Sequence, residues 1–447
     1  MQRDVHQNDT IFALSSGHGR AGVAVIRISG PGAGASLKVL AGVIPQPREI
    51  ILRTLIDPSS GDPLDKALVI FFPAPESFTG EDVAELHVHG GPAVIDGVVT
   101  ALGALSGLRA AEAGEFTRRA FANGKLDLTE VEGLADLIEA ETRAQAVQAL
   151  RQSSGALGAL YEEWRHDLIA ALAHVEAALD FSDEADVPAL VEQKARPIVE
   201  ALRTAIEQHL HDHRRGERLR AGFTVVLAGP PNVGKSSLLN ALAARDVAIV
   251  SDEAGTTRDV LEVHLDLDGL PVTVLDTAGI REAQSGVEQE GVRRTLARAG
   301  QADLVVWLVD AGAPEWFPPD DLGEAPVIII VNKIDLASVE KPAGVDDALE
   351  ISATQGSGLD VLTDMLAALA GESLQAGEAP ALTRERHRHE LERARAALGD
   401  FLEADRAALE LRAEDLRTAA HALGRLTGRV DVEDVLDRIF ADFCIGK

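Results

Sequence analysis

Residues 223–240 read FTVVLAGPPNVGKSSLLN. Phe223–Ala228 is an apolar run of strand length, and a helical pattern starts near Ser237. Between them, Gly229-Pro230-Pro231-Asn232-Val233-Gly234-Lys235-Ser236 has the spacing GxxxxGK[ST]. Glycines let successive backbone N–H groups turn inward on a β-phosphate, and the N-terminus of the following helix adds positive potential. Lys235 then reaches the β and γ oxygens, and the Ser236 hydroxyl is placed to ligate Mg²⁺. The bland alternative is an ordinary glycine turn between strand and helix. It is disfavoured because strand, loop and helix come in the required order.

Segments further along define the nucleotide. Asp276-Thr277-Ala278-Gly279 ends a strand pattern, where a carboxylate can hold the metal through water and the Gly279 N–H can sense a γ-phosphate. Thr256 and Thr257 lie in a polar loop about twenty residues past Lys235, suited to a second metal hydroxyl. Asn332-Lys333-Ile334-Asp335 follows the apolar strand Val327–Val331. The Asp335 carboxylate can accept from guanine's N1–H and 2-amino group together, a paired donor edge that adenine lacks. Ser352-Ala353-Thr354 closes the base pocket. Each tetrapeptide is weak alone; four in this order are strong, and the segment resembles the translation-factor-like GTPases. Many such proteins place a glutamine after the fourth residue of DTAG to orient the attacking water. Here that position is Ile280, which cannot hydrogen-bond water, so another water-positioning group and another positive charge are needed. Glu288 and Glu290 follow nearby, though such side chains are more often solvated helix residues. Asn232 is available to a monovalent cation beside the phosphates.

From Phe223 to about Ala370, strand patterns at Phe223–Ala228, Val260–Leu267, Val272–Leu275, Leu304–Val309 and Val327–Val331 alternate with helical ones. Asp268-Gly269 supplies a hairpin turn. The chain on either side is helical. Asp127 and Glu130 form a capping-box pattern, and Ser153-Ser154-Gly155 interrupts the stripe. It resumes through Leu157, Leu160, Trp164, Leu168, Leu172, Val175 and Leu179, and an acidic break over Ser182 to Pro188 precedes one more helix. Helices before and after the α/β module are expected to pack together. Residues up to about 120 read as mixed α/β, with strands at Gly22–Ile28, Leu68–Phe72 and Val83–His89 and a helix over Val94–Leu105. The expected fold class is multidomain α/β plus all-α. A mixed α/β N-terminal domain spans 1–122, and a helical domain spans 123–218 and 373–447, interrupted by a Ras-like P-loop GTPase domain over 219–372.

Composition narrows the classes. The 447 residues suffice for two or three domains, and 46% apolar content excludes wholesale disorder. No uninterrupted apolar run reaches the roughly 18 residues of a membrane span, and MQRDVHQNDT has no signal-peptide core. Cys444 is the single cysteine, which fits a reducing cytoplasm. Asp plus Glu total 72 against 42 Lys plus Arg, a formal charge of −30. Such a surface repels phosphate polymers, so nucleic-acid contact is expected to be local or made by a partner. The 4% aromatic content argues against a base-stacking platform.

The flanks carry a narrower likeness. Phe78-Thr79-Gly80-Glu81-Asp82, Gly114-Glu115-Phe116-Thr117, the segments 229–240 and 254–259, and the terminal Phe443-Cys444-Ile445-Gly446-Lys447 together resemble the MnmE (TrmE) family of tRNA-modification GTPases. The likeness covers essentially the whole chain. It implies a homodimer formed through the N-terminal domains, which bind 5-formyltetrahydrofolate or a related tetrahydrofolate. It implies a heterotetramer or larger assembly with the FAD- and NADH-using flavoprotein MnmG. That assembly would install an aminomethyl or carboxymethylaminomethyl group at C5 of the tRNA wobble uridine. It also implies K⁺-stimulated GTP hydrolysis by G domains that dimerise face to face, with K⁺ in the role of an arginine finger.

Carried onto this sequence, the resemblance implies K⁺ bound by Asn232, Ser251, Glu253 and Thr256, and Mg²⁺ by Ser236 and Thr257. Ser237, Asp252, Ala254 and Gly255 join the GTP contacts, and Glu288 orients water through a bridging water. The implied folate positions are Arg27, Glu85, Lys125 and Lys447. Cations there suit glutamyl carboxylates, and a carboxylate suits the pterin's amino edge. Without the family, Arg27 and Glu85 read as a strand-face ion pair and Lys125 as a surface residue. Cys444 is a candidate thiol, but its neighbours Phe443 and Ile445 favour packing or positioning. His87 and His89 share a strand face and lack further ligands at metal-site spacing. The run Arg384-Glu385-Arg386-His387-Arg388-His389 offers charge to tRNA phosphate, although such runs are usually solvated. Thr354 stands where Lys or Arg is usual in the last base-pocket motif. The net charge suggests that tRNA is gripped largely through the partner. Two other classes stay open at this point: a ribosome-assembly GTPase switch without covalent RNA chemistry, and a nucleotide-dependent scaffold that binds no folate.

Overall fold

A computed structural model of the chain describes residues 9–17, 19–180, 187–212, 214–245, 247–249, 262–276, 302–319, 325–338, 340–374, 380–404, 408–430, 435–436, 439–440, 443 and 446. The chain forms two compact units, Met1–Ala135 with Ser153–His166 and Ala420–Lys447, and Asp136–Gln152 with Asp167–Ala419.

The first unit begins with β1 (Thr10–Leu14), β2 (Ala21–Ser29), α1 (Ala33–Ala41), β3 (Ile51–Ile56), β4 (Pro63–Phe72), β5 (Val83–Gly90), α2 (Pro92–Gly103), β6 (Leu108–Ala110) and α3 (Glu115–Ala122). The strands form one sheet in the order β3-β4-β5-β2-β1-β6. All pairs are antiparallel except β1 with β6. Alternation sends Ile26, Ile28, Leu86 and Val88 to a core shared with Leu37 and Leu40 of α1 and Val98 and Leu102 of α2. On the opposite face, Arg27 stands across from Glu85 and Val25 across from His87. The strands β1, β3 and β6 and the helices α1 and α3 carry no pattern that the sequence reading recognised. Strand β4 starts at Pro63, five residues before the Leu68 expected, because Asp65 and Lys66 break its apolar run. Cross-strand pairing, which is not a local property, stabilises these segments.

Helix α4 (Leu128–Glu139) opens with a reciprocal capping box: the Asp127 N–H donates to Glu130 Oε2 at 2.7 Å and the Glu130 N–H to Asp127 Oδ1 at 2.8 Å. Helices α5 (Arg143–Ser153) and α6 (Ala156–Asp180) are separated at Gly155, whose φ is +85°. The buried line of α6 is Leu157, Tyr161, Trp164, Leu168, Ala171, Val175 and Ala178. Tyr161, Ala171 and Ala178 thus take the places expected for Leu160, Leu172 and Leu179. Steps alternating between four and three keep a straight stripe, and the three leucines flank it. Helices α7 (Val187–Leu210) and α8 (Arg215–Ala221) follow.

The second sheet comprises β7 (Phe223–Ala228), β8 (Glu262–Leu267), β9 (Leu270–Asp276), β10 (Leu304–Asp310), β11 (Val327–Asn332) and β12 (Leu349–Glu350), with α9 (Lys235–Ala243) and α10 (Leu359–Leu374). Its order is β12-β11-β10-β7-β9-β8, and only β8 with β9 is antiparallel. The β8–β9 turn has positive φ at both central residues, +55° at Asp268 and +83° at Gly269, as a two-residue hairpin requires. Residues 260 and 261, expected to begin β8, lie outside the described residues. Leu304, Val306 and Leu308 of β10 enter one core and Val305, Trp307 and Val309 another, so this parallel strand is covered on both faces. Strand order reverses between β7 and β10, which opens a crevice at their C-terminal ends. Helix α9 begins at Lys235, two residues ahead of Ser237, so the lysine and serine sit in its first turn, where N–H groups point along the axis without an intrahelical acceptor.

The chain closes with α11 (Glu385–Glu403) and α12 (Leu409–Thr427). As expected, helices from before and after the α/β module meet. Arg388 of α11 donates to the Leu210 carbonyl that ends α7 at 2.9 Å, and Arg196 of α7 donates to the Leu402 carbonyl at 3.1 Å. These contacts correct the reading of the basic run. Arg384 pairs with Asp136 at 2.6 Å, Arg388 with Asp212 at 2.7 Å, and His387 is fully buried. The charges of Arg384 and Arg388 are thus spent inside the helical packing, whereas His389 of the same run is exposed.

Candidate functional site

The loop after β7 is shaped by close backbone approach. Gly229 has φ +142°, and a Cβ there would stand 2.6 Å from the Leu308 carbonyl. Asn232 adopts φ +61° and Gly234 φ +102°, which turns the loop back over the start of α9. Lys235 is buried, and its ammonium donates to the carbonyls of Gly229 at 2.8 Å and Pro230 at 2.9 Å. The Ser236 hydroxyl donates to Asp276 Oδ2 at 2.5 Å, joining the phosphate loop to the end of β9. A hydroxyl and a carboxylate on the floor of a glycine cradle form an all-oxygen donor set, the chemistry that suits Mg²⁺. Val233 is buried and Ser237 exposed.

Three sequence motifs converge on Asn332. Its amide donates to the Val233 carbonyl at 2.9 Å and accepts from the Ala353 N–H at 3.1 Å. Lys333, at φ +66°, donates to the Asn232 carbonyl at 2.6 Å and to Asp310 Oδ2 at 2.6 Å. Burial pushes the Asp310 carboxyl up, and Lys333 with the Gly312 N–H outweighs it, leaving the carboxyl below its ordinary range. Asp335 is exposed, and Ser352 and Thr354 approach through their hydroxyls at 3.2 Å. Ser251, Asp252, Glu253, Ala254, Gly255, Thr256, Thr257, Thr277, Ala278, Gly279, Ile280, Glu288 and Glu290 lie outside the described residues.

A second candidate site occupies the first unit. Arg27, Glu85 and Lys125, far apart in sequence, line one cavity of about 340 Å³ with Arg48, Phe72 and Phe78 among its other walls. The Arg27 Nε donates to Glu85 Oε1 at 3.1 Å, and its guanidinium lies 5.3 Å from the Phe78 ring centre and 5.8 Å from that of Phe116. The ion pair read from the sequence is therefore present, and it faces a cavity. The other Glu85 oxygen lies 3.1 Å from His87 Nε2, while His89 pairs with Asp65 at 2.8 Å. Lys125 donates to the Pro75 carbonyl at 3.0 Å. The loop 78–82 is held from behind: Glu81 accepts from Arg119 at 3.1 Å and from the Ser29 hydroxyl at 2.8 Å. Cys444 and Lys447 lie outside the described residues, but Gly446 between them is placed. Its carbonyl accepts from the Ser15 hydroxyl at 2.7 Å, just past the end of β1. Across that strand, Ala13 faces Arg27.

The family model described as "MnmE helical domain" matches residues 128–444, and the one described as "GTP-binding protein TrmE N-terminus" matches residues 10–125. The "tRNA modification GTPase MnmE" of Parvibaculum lavamentivorans is 58% identical over 98% of this chain and 100% of its own length. This chain belongs to the MnmE (TrmE) family. The protein of the same name from Rhodospirillum rubrum is 54% identical over 98% of this chain and 99% of its own. Among solved structures, the G domain of the T. maritima FeoB iron transporter aligns with 33% of this chain and 98% of its own, at 27% identity and a TM-score of 0.25. For a MnmE-family chain, sequence reasoning missed Asp310 and Arg48. Asp310 was findable only through register, since it faces Asn332 on the neighbouring parallel strand. Arg48 carries no motif.

Proposed function

We propose that this chain hydrolyses GTP and couples the turnover to modification of tRNA, as the name shared by its MnmE relatives states. One observation carries the reading: an intact phosphate loop at the switch point of the second sheet, closed beneath by the Ser236–Asp276 contact. Backbone N–H groups of residues 232–237 bind the phosphates, Lys235 exchanges its carbonyl partners for phosphate oxygens, and Asp335 takes the guanine edge. Ser236 and Thr257 would hold Mg²⁺, with Asp276 accepting from the Ser236 hydroxyl; the ion would supply neutralisation of the β and γ oxygens.

We assign Asn232, with Ser251, Glu253 and Thr256, to a bound K⁺ that supplies the positive charge no motif arginine supplies. Glu288 orients the attacking water, a task closed to Ile280. Turnover measured in potassium and in sodium buffers tests this pairing; equal rates, with no dimer in aluminium fluoride, would remove it.

The cavity around Arg27, Glu85 and Lys125 fits a tetrahydrofolate. Aromatic walls suit its ring, Glu85 its amino edge, and cations its carboxylates. The folate supplies a one-carbon unit for C5 of the wobble uridine, and the flavoprotein MnmG supplies FAD and NADH chemistry. Leu52 and Leu68 are paired across β3 and β4 yet 59% and 41% exposed, which favours a homodimer through this domain. The −30 charge favours gripping tRNA mainly through the flavoprotein. Among the described residues no helix is long and apolar enough to cross a membrane, and the reading places the protein in the cytoplasm. Nucleoside mass spectrometry of tRNA from cells lacking the gene should show wobble uridines without their C5 substituent. Unchanged wobble uridines would overturn the assignment.

A further inference from the structure

The two histidines of β5 are divided between two carboxylates. His89 Nδ1 lies 2.8 Å from Asp65 Oδ1, and His87 Nε2 lies 3.1 Å from Glu85 Oε2. Glu85 thereby has both oxygens engaged. Arg27 of the neighbouring strand β2 donates to Oε1 at 3.1 Å, and His87, two residues along β5, meets Oε2. An ionised carboxylate only accepts, so His87 carries a proton on Nε2 and donates it. The cross-strand neighbours of His87 are Val25 on β2 and Leu68 on β4, whose apolar side chains offer the ring no other hydrogen bond.

Two donors do what one cannot. The terminal torsion of a glutamate is broad, so a carboxylate held at Oε1 alone swings its plane about that contact. A second donor on Oε2 fixes the plane. Each oxygen keeps a further lone pair, and the two are then presented side by side, as a pair of N–H donors on the edge of a heterocycle requires. Among the described residues, the charged walls of the cavity are the cations Arg27, Arg48 and Lys125 and the carboxylates Glu76 and Glu85. Glu76 is exposed, whereas Glu85 is partly buried with both oxygens held, which makes Glu85 the ordered acceptor of the wall. His87 is not among the residues that line the cavity and acts on it through Glu85.

We propose that His87 is a positioning residue of this cavity, fixing the Glu85 carboxylate to accept the amino edge of the bound heterocycle. This rests on the folate reading and assigns the recognition of that edge to a chain of three side chains, Arg27, Glu85 and His87.

The test is calorimetric titration of the full chain with 5-formyltetrahydrofolate and with its analogue carrying hydrogen in place of the pterin 2-amino group, in wild type, His87→Leu and His87→Gln. His87→Leu should bind 5-formyltetrahydrofolate about tenfold more weakly, the equivalent of one charge-assisted contact. The same variant should bind the analogue as wild type does, because the analogue lacks the group that the fixed oxygen meets; this also shows that the variant is folded. His87→Gln retains an N–H donor and should restore most of the lost affinity. Unchanged affinity in His87→Leu, an equal loss for both ligands, or no recovery in His87→Gln would overturn the positioning role and leave the folate reading standing. Failure of wild type to bind either ligand would overturn both.

Discussion

Asp310 holds Lys333: Oδ2 and Nζ are 2.6 Å apart, and the same ammonium donates to the Asn232 carbonyl at 2.6 Å. The residue after Asn332 thereby braces the phosphate loop at the position where Asn232 turns at positive φ. Asp310→Asn keeps the shape and removes the charge, so affinity for a fluorescent GDP analogue should fall about tenfold. The cation concentration for half-maximal turnover should rise as Asn232 loosens. Because the Asp310 carboxyl lies below its ordinary 3.8, the tether is complete at neutral pH and is lost only as pH falls through that lowered value. The contribution of Asp310 to nucleotide affinity should therefore be constant between pH 6 and 8, and the wild-type to Asp310→Asn ratio measured across that range will check it.

Arg119 is 3% exposed and joins three carboxylates, Asp9 at 2.7 Å, Glu115 at 2.9 Å and Glu81 at 3.1 Å. For Asp9, burial pulls the carboxyl up and the two arginines Arg109 and Arg119 outweigh it. Arg119→Met would leave those carboxylates facing one another with only Arg109 to balance them. Denaturant titration should show a loss of about 3–5 kcal/mol. Loop 78–82, which hangs on Glu81, should exchange its amide hydrogens faster.

Gly446 sits at φ +106°, and a Cβ there would collide with the Leu14 carbonyl. Gly446→Ala should therefore release the end of the chain from β1. Carboxypeptidase should trim the variant faster than wild type, and folate affinity should drop if Lys447 serves that cavity. A trimming rate equal to wild type would show that the tail is held elsewhere.

Burial pushes the His209 imidazole down to about 4; Asp212 opposes this, and His387 and Arg388 reinforce it. The unfolded chain takes up this proton near pH 6.5, whereas the folded chain resists until about 4. Stability is thus complete above pH 6.5 and declines as pH falls toward 4, by up to about 3 kcal/mol. Unfolding midpoints at pH 7.5 and 5 should converge in His209→Gln. An unchanged pH slope would assign the loss to other groups.

The parts legible in the sequence are those decided within a few residues. The glycine loop, the Asp268-Gly269 turn and the Asp127–Glu130 capping box depend on φ preferences and on donors and acceptors three residues apart. The long α6 stripe was legible in period but not in detail, because which of Leu160 and Tyr161 turns inward depends on the surface it meets. The basic run was misread for the same reason: Asp136 and Asp212, which neutralise Arg384 and Arg388, are over 170 residues away in sequence.

By itself, then, the sequence determined a phosphate cradle, a guanine-type pocket, the alternation of strands and helices from Phe223 onward and the family, since each rests on local spacing. Tertiary structure alone decided that Asp310 faces Asn332, that Arg48 and Lys125 converge on the cavity of Arg27 and Glu85, and that Gly446 returns to β1. Those are contacts between distant segments, set by strand register and packing, and no local propensity encodes which distant partner a charge will meet.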